Sequence, residues 1–380
     1  MRVVDAYCGT GGWSAGALAA GCTPVLGIDC DHAPLQLWAA NCAPHGGRAA
    51  CATLGGGSAA DERVDWPEAA ADLHVHLSPP CTSLSKARAG SASAASVAAA
   101  LDGVRAAVQL VLERDYTSWS VENVSTPAVV ACVRALAELH PARVAFVVLD
   151  AADHGVPSNR TRLLASTPAV IRALKELPVR RVSVADAFAA AELPLPAEFL
   201  KSNTTSRDGS ACVRSVQQPA FTVTASHPLV WCTRDGATLR CLTVAESALL
   251  MGFPAGWRLP QGSRVGLRAV GNAVPPPLAQ AVMGCARLEA QQAQQAQRHG
   301  PQHNPPKPPL PPEPAQEPGE PTQAPGRPRC AATADADAEL AGLRCKLRRL
   351  ARRVEALEAQ EAQQQGAEER GAAAAGDLTD

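Results

Sequence analysis

The sequence predicts an α/β fold: a doubly wound sheet, a small inserted region, and a C-terminal tail that is disordered or forms a coiled coil. Three observations carry this. From Arg2 to about Ala290, short apolar runs alternate with Ala-rich helical stretches, the rhythm of β-α units around a parallel sheet. A glycine-rich turn follows the first apolar run directly. Beyond Ala290 the composition changes abruptly to Gln and Ala and then to Pro.

Strands are expected at Val3–Tyr7, Pro24–Asp29, Leu73–Ser78, Ser118–Val121 and Val144–Leu149, with helices between them such as Ser91–Arg114 and Pro127–Leu139. This first region spans residues 1–165. Between Ser166 and Arg240 the alternation weakens, and Asn203-Thr204-Thr205, Arg207-Asp208-Gly209 and Arg234-Asp235-Gly236 mark turns, so residues 166–240 read as a small insertion. Residues 241–290 return to the first region. The Gln/Ala run and the Pro-rich stretch, residues 291–335, hold too few apolar side chains to fold and read as a linker. In residues 336–362, Leu340, Leu343, Leu347, Leu350, Val354 and Leu357 follow steps of three and four. This is a short heptad run, read either as a coiled coil for self-association or a protein partner, or as one amphipathic helix. Residues 363–380 form a tail.

Composition narrows the function classes. The 380 residues are ample for one large or two modest domains, and with 3% aromatics the core must be built from Ala, Val and Leu. A net charge of −1 gives no global attraction for a polyanion, so any nucleic-acid contact must come from a local basic face. Thirteen cysteines, an odd number at irregular spacing behind a start with no signal-peptide pattern, point to reduced thiols in an intracellular protein. The basic run Arg344-Cys345-Lys346-Leu347-Arg348-Arg349 suits a nuclear signal in a eukaryote, or a solvated face. No C-x-x-C spacing occurs, which argues against a zinc site, and no apolar run is expected to span a membrane.

The turn Asp5-Ala6-Tyr7-Cys8-Gly9-Thr10-Gly11-Gly12 opens a helix, and its glycines let backbone approach a ligand closely. Asp29 ends the next strand 20 residues after Gly9, where a doubly wound fold places the acid that holds ribose hydroxyls. The third glycine of the dinucleotide fingerprint is missing. A nucleoside without pyrophosphate, such as S-adenosyl-L-methionine, fits this turn, and so does a purely structural role.

Pro79-Pro80-Cys81 stands at the carboxyl end of a strand, where open sheets place their chemistry, and a cysteine there is either a nucleophile or an inert buried thiol. Glu122-Asn123-Val124 ends the next strand at the same edge. Arg160-Thr161-Arg162 would point two guanidinium groups to one face, toward a base carbonyl or phosphate, or into surface ion pairs.

Taken in order, these segments resemble the cytosine-C5 DNA methyltransferase family. The resemblance extends through Gly155-Val156-Pro157 to Arg162, through Arg240-Cys241-Leu242-Thr243 with Glu246 and Met251-Gly252-Phe253-Pro254, to Gly271-Asn272-Ala273-Val274-Pro275-Pro276. It implies a Rossmann-like methyltransferase domain with an inserted target-recognition region and S-adenosyl-L-methionine as cofactor, held by Tyr7, Cys8, Gly9, Thr10, Gly11, Asp29, Cys30, Pro80, Asn272 and Val274. By the same resemblance Cys81 attacks C6 of a cytosine flipped out of duplex DNA, Glu122 engages N3 and the amine, and Arg160 and Arg162 support the base. The helix after Pro275 is expected to pack beside the glycine turn.

Four positions depart from the family pattern. No Asp stands in Ala49–Leu54, Cys30 replaces an aromatic, Ser158 a Gln, and Asp29 a Glu. Two other readings accompany the DNA enzyme: a tRNA cytosine methyltransferase, whose Cys-Phe-Thr signature is missing here, and a nucleic-acid-binding module that no longer turns over. Lys201, Arg207, Arg214 and Arg234 are candidates for phosphate or guanine contacts.

Overall fold

In the computed structural model the described residues are 1–54, 64–81, 84, 93–205 and 211–298. The heptad run, Arg207 and most of the expected linker lie outside them.

The chain opens with β1 (Arg2–Ala6), α1 (Gly12–Ala19), β2 (Thr23–Asp29), α2 (His32–Cys42) and β3 (Arg48–Cys51). β4 (Leu73–Leu77), α3 (Ala94–Glu113), β5 (Trp119–Val124), α4 (Pro127–Leu139), β6 (Ala145–Asp150) and β7 (Thr161–Ser166) complete a seven-stranded sheet, ordered β3-β2-β1-β4-β5-β7-β6. β1 to β5 pair in parallel, whereas β7 runs antiparallel to both β5 and β6. The reason is the connection. Parallel strands need a crossover of a dozen or more residues, and only residues 151–160, with one short 3₁₀ turn, separate β6 from β7. β3, not anticipated from sequence, is a weakly apolar edge strand whose burial is slight.

The order in which the strands are laid down reverses between β1 and β4, which leaves the crevice in which such folds bind ligands. β4 alternates sharply. Leu73, Val75 and Leu77 join a core with Val104, Ala107, Val108 and Val111 of α3, while His74 and His76 stack beside Trp13 of α1. The His76 and Trp13 rings are nearly parallel with centroids 3.4 Å apart, and Ser118 and Ser120 hydroxyls meet the imidazoles at 2.9 Å. α3 has the length and mean hydropathy (1.5) of a spanning helix, contrary to the sequence expectation, yet this Ala-rich helix buries one face in the sheet's core.

After β7 come α5 (Pro168–Glu176), α6 (Val184–Ala190), a four-stranded sheet, α7 (Val244–Leu250), α8 (Ser263–Asn272) and α9 (Pro276–Arg298). The small sheet is ordered β11-β10-β8-β9, with β8 (Phe199–Thr205), β9 (Ala211–Ser215), β10 (Val230–Cys232) and β11 (Thr238–Cys241). Its core runs from Val184 to Val270 and takes in Leu250, Met251 and Phe253. The cores therefore do not divide at 166 and 240: α5 packs on the large sheet with α9, and α7 and α8 share the second core. α9 continues through Gln291–Gln297, where a linker was expected, because Ala and Gln are good helix formers and no Pro interrupts them before Pro301.

α9 lies along α1 as expected, and glycine makes this approach possible. A Cβ at Gly12 would overlap the Val274 carbonyl, and one at Gly16 would lie 2.6 Å from Ala279 Cβ.

Candidate active site

The glycine turn leaves β1 through three residues with positive φ, Tyr7 (60°), Gly9 (51°) and Gly11 (89°). Asp29 at the end of β2 locks the turn: its carboxylate accepts from the Gly9 N–H at 2.8 Å and from the Asp31 N–H at 2.9 Å. A Cβ on Gly9 would project into open space, so this side of the turn is clear for a ligand. Thr10 contributes a buried hydroxyl without a hydrogen-bond partner among the described residues, and Trp257 Nε1 donates to the Thr10 carbonyl at 2.9 Å. The ring of Trp257 also closes over Gly11.

The Cys8 side chain faces away from this opening. It packs with Leu35, Trp38 and Cys42, and burial drives its thiol well above the ordinary range, so only its backbone is available to a ligand. Cys30 is exposed, Pro80 is exposed, and Val274 is buried against α1 and α9. Beneath the turn, burial pushes the Asp5 carboxyl up to about 7 although Ser14 donates to it at 2.6 Å; Trp38 Nε1 in turn donates to the Ser14 hydroxyl.

Cys81, half-buried beyond β4, lines a cavity of about 650 Å³ together with Arg160, Arg162, Asn272 and the segment Thr222–Ser226. The loop before it is pinned to β5: Asn123 Nδ2 donates to the Pro79 carbonyl at 3.0 Å while Asn123 Oδ1 accepts from the Val124 N–H. Sequence reading assigned Asn123 no role, although an amide between a Glu and an apolar residue at a strand end was its signal. Glu122 is buried, with Arg162 Nε 2.9 Å from its Oε1. That distance supports an ion pair, but the Arg162 N–H is not aimed at Oε1, and this oxygen has no hydrogen bond among the described residues. Burial raises the Cys81 thiol, as does the Glu122 charge, while Arg162 and Arg160 act in the opposite direction.

Arg160 and Arg162 line the same cavity but do different things. The Arg160 guanidinium is buried and donates to three carbonyls, Val223 at 3.1 Å, Gly271 at 3.0 Å and Ala273 at 3.0 Å. Burial pushes its pKa down to about 9, high enough to leave it charged near neutrality. Arg160 therefore braces the cavity wall, whereas Arg162 faces Glu122. Ser158 turns away and donates to the Leu250 carbonyl at 2.8 Å. The Arg240–Glu246 segment builds a helix start. Thr243 and Glu246 form a capping box on α7, and Arg240 grips the Glu246 carboxylate at 2.8 and 2.6 Å.

Of the basic candidates in the small sheet, Lys201 donates to the Gly236 carbonyl and Arg214 to the Pro219 and Ala220 carbonyls while covering the Phe221 ring. Both are occupied in the fold; Arg234 is exposed. Among the cavity-lining residues that escaped the sequence reading are two arginines, Arg264 and Arg268 of α8. Their signal was a spacing of four running into Asn272.

Comparison with known proteins adds two findings. Residues 192–285 match the family model of C-5 cytosine-specific DNA methylase. Among solved structures, one described as a DNA modification methyltransferase encoded within an E. coli prophage shares 16% identity at a TM-score of 0.52, covering 77% of this chain and 99% of its own. The S. pombe Dnmt2 methyltransferase (15% identity, TM-score 0.46, covering 77% and 99%) and the Entamoeba histolytica methyltransferase EhMeth (13%, 0.47, 76% and 98%) are also similar. No curated protein sequence matches. The resemblance carried by the motifs is borne out as a match: residues 192–285, which include the Arg240–Pro254 and Gly271–Pro276 blocks, fit the family model of C-5 cytosine-specific DNA methylase, and the chain shares the fold of the prophage-encoded protein.

Proposed function

We propose that the protein transfers the methyl group of S-adenosyl-L-methionine to C5 of a cytosine in DNA. The observation that carries this is one cavity lined by Cys81, Arg160 and Arg162, with Arg162 paired to the buried Glu122. The residues of the glycine turn suit the cofactor: Gly9 is open on its ligand side, the Thr10 hydroxyl has no hydrogen-bond partner among the described residues, and the Asp29 carboxylate is already oriented by two N–H groups. Tyr7, Gly9, Thr10, Gly11, Asp29 and Asn272 would hold it, together with the Cys8 backbone and neighbouring Cys30, Pro80 and Val274. The cofactor supplies the methyl group.

The target carbon is stacked in a duplex, so the cytosine swings out into the cavity, whose volume of about 650 Å³ suits a nucleotide. Glu122 binds N3 and the exocyclic amine through a carboxyl group that has an oxygen still free of hydrogen bonds among the described residues. This draws electrons from the ring and opens C6. The Cys81 thiolate adds to C6, which makes C5 nucleophilic; C5 accepts the methyl group and loses its proton, and the Cys81–C6 bond breaks to restore the ring. Asn123 fixes the loop from which the thiolate attacks, and Arg160 holds the part of the cavity wall at Val223 and Gly271 in place.

Tritiated methyl transfer to cytosine-containing duplex DNA tests the reading. Wild type should incorporate label and Cys81→Ala should fall to background. Equal incorporation by the two proteins would overturn the proposal. Duplexes containing 5-fluorocytosine should trap a covalent complex only where Cys81 is present, and bisulfite sequencing of treated DNA would give the sequence context. A tRNA acceptor run in parallel separates DNA from RNA as substrate.

A further inference from the structure

Among the described residues, four arginines and no carboxylate line the cavity, Glu122 being buried against Arg162. Two are accounted for: Arg160 donates to main-chain carbonyls, and Arg162 faces Glu122. The other two, Arg264 and Arg268, are exposed, and neither has a hydrogen bond or ion pair to a described residue. They stand four apart on α8 and Asn272 stands four further on, so all three share one helix face, and that face lines the cavity that holds Cys81. For the helix alone this placement is poor. Like charges four residues apart repel, and Arg264 lies in a first turn that has no acidic residue and whose Gly262 offers no side-chain cap. An anion held between the two guanidinium groups would reverse both effects. The segment that packs on α8 at Gly271 also lines the cavity through Thr224 and Ser226, whose hydroxyl groups are engaged with His227.

We propose that Arg264 and Arg268 clamp consecutive backbone phosphodiesters of the strand whose base enters the cavity. This rests on the reading of the protein as a nucleic-acid methyltransferase and adds to it where the strand runs: along α8, over the entrance to the Cys81 cavity. The two arginines lie about 6 Å apart along the helix axis, so they can grip the strand at two points and stop the flanking backbone from following the base inward.

The test measures binding and needs no turnover. Fluorescence anisotropy of a labelled cytosine-containing duplex, and in a second arm of tRNA, is followed between about 50 and 200 mM KCl for wild type, R264Q/R268Q, R264K/R268K and R134Q, an exposed arginine on α4. Losing two phosphate contacts should make the slope of log K against log salt shallower by about 1.5–2 for R264Q/R268Q. The lysine pair should keep the wild-type slope, R134Q should match wild type, and calorimetric binding of S-adenosyl-L-methionine should be unchanged in all four. A wild-type slope in R264Q/R268Q, or an equal change in R134Q, overturns the clamp and leaves the methyltransferase reading standing. A wild-type protein that binds neither nucleic acid overturns both. Whichever arm shows the change identifies the nucleic acid held.

Discussion

At the scale of single residues, the state of Cys81 is decided by its neighbours. Burial and the Glu122 charge hold its thiol above the ordinary range, and Arg162 and Arg160 pull it down. Glu122→Gln should therefore lower the Cys81 pKa and Arg162→Met should raise it, read as the pH dependence of iodoacetamide labelling at Cys81 by peptide mass spectrometry. Unchanged profiles in both would show that the pair does not act on the thiol. At this scale the sequence was informative about which residues meet and less so about what each side chain does. Cys81, Glu122, Arg160 and Arg162 stand at strand ends, and strand ends can be read from apolar periodicity. That the Cys8 thiol turns into the core, and that Arg160 braces carbonyls at 223, 271 and 273, depends on long-range packing that no local spacing encodes.

At the scale of elements, the close contact of α1 and α9 depends on Gly12 and Gly16, and its disruption is measurable. Gly16→Ala should destabilise the fold by about 1–3 kcal/mol in urea unfolding, since the added methyl meets Ala279 Cβ and the Pro276 carbonyl. Gly103→Ala, in the middle of α3 with Pro79 Cβ 3.8 Å from the added methyl, should stabilise by about 0.4–1 kcal/mol. Equal effects from the two would remove the packing argument. Among elements, the parallel strands were legible because their buried runs are short, apolar and separated by helices. β3 was not, being an edge strand of Arg, Ala and Cys without a hydrophobic signal, and the reversal of β7 followed from the length of a connection, not from the strand's own residues.

At the scale of the whole molecule, pH reports on the polar layer buried between β4 and α1. His74 is pushed down to about 3 and His76 well below its ordinary range, both by burial, while Asp5 is raised to about 7 by burial. Between about pH 4 and 6.5 each histidine binds a proton only when unfolded, and Asp5 binds one only when folded. The histidines therefore add stability as pH rises through this window and Asp5 subtracts it. Two against one leaves a net gain of about 1.4 kcal/mol per pH unit, an order-of-magnitude figure. Urea midpoints should rise from pH 4.5 to 6, and more steeply in Asp5→Asn; a flat profile would refute the assignment. A net charge of −1 hid the basic lining of the cavity, because four arginines gathered from β7, its approach and α8 leave no trace in a sum over the chain.

The brace made by Arg160 has a consequence for how the protein can change over generations. All three of its acceptors are main-chain carbonyls, so the joint between the small-sheet core and the turn before α9 does not depend on which side chains occupy 223 and 273. Residues around the cavity can be exchanged to suit a new target while the wall keeps its position. In this arrangement the position of the cavity wall and the side chains that face the cavity are free to vary separately.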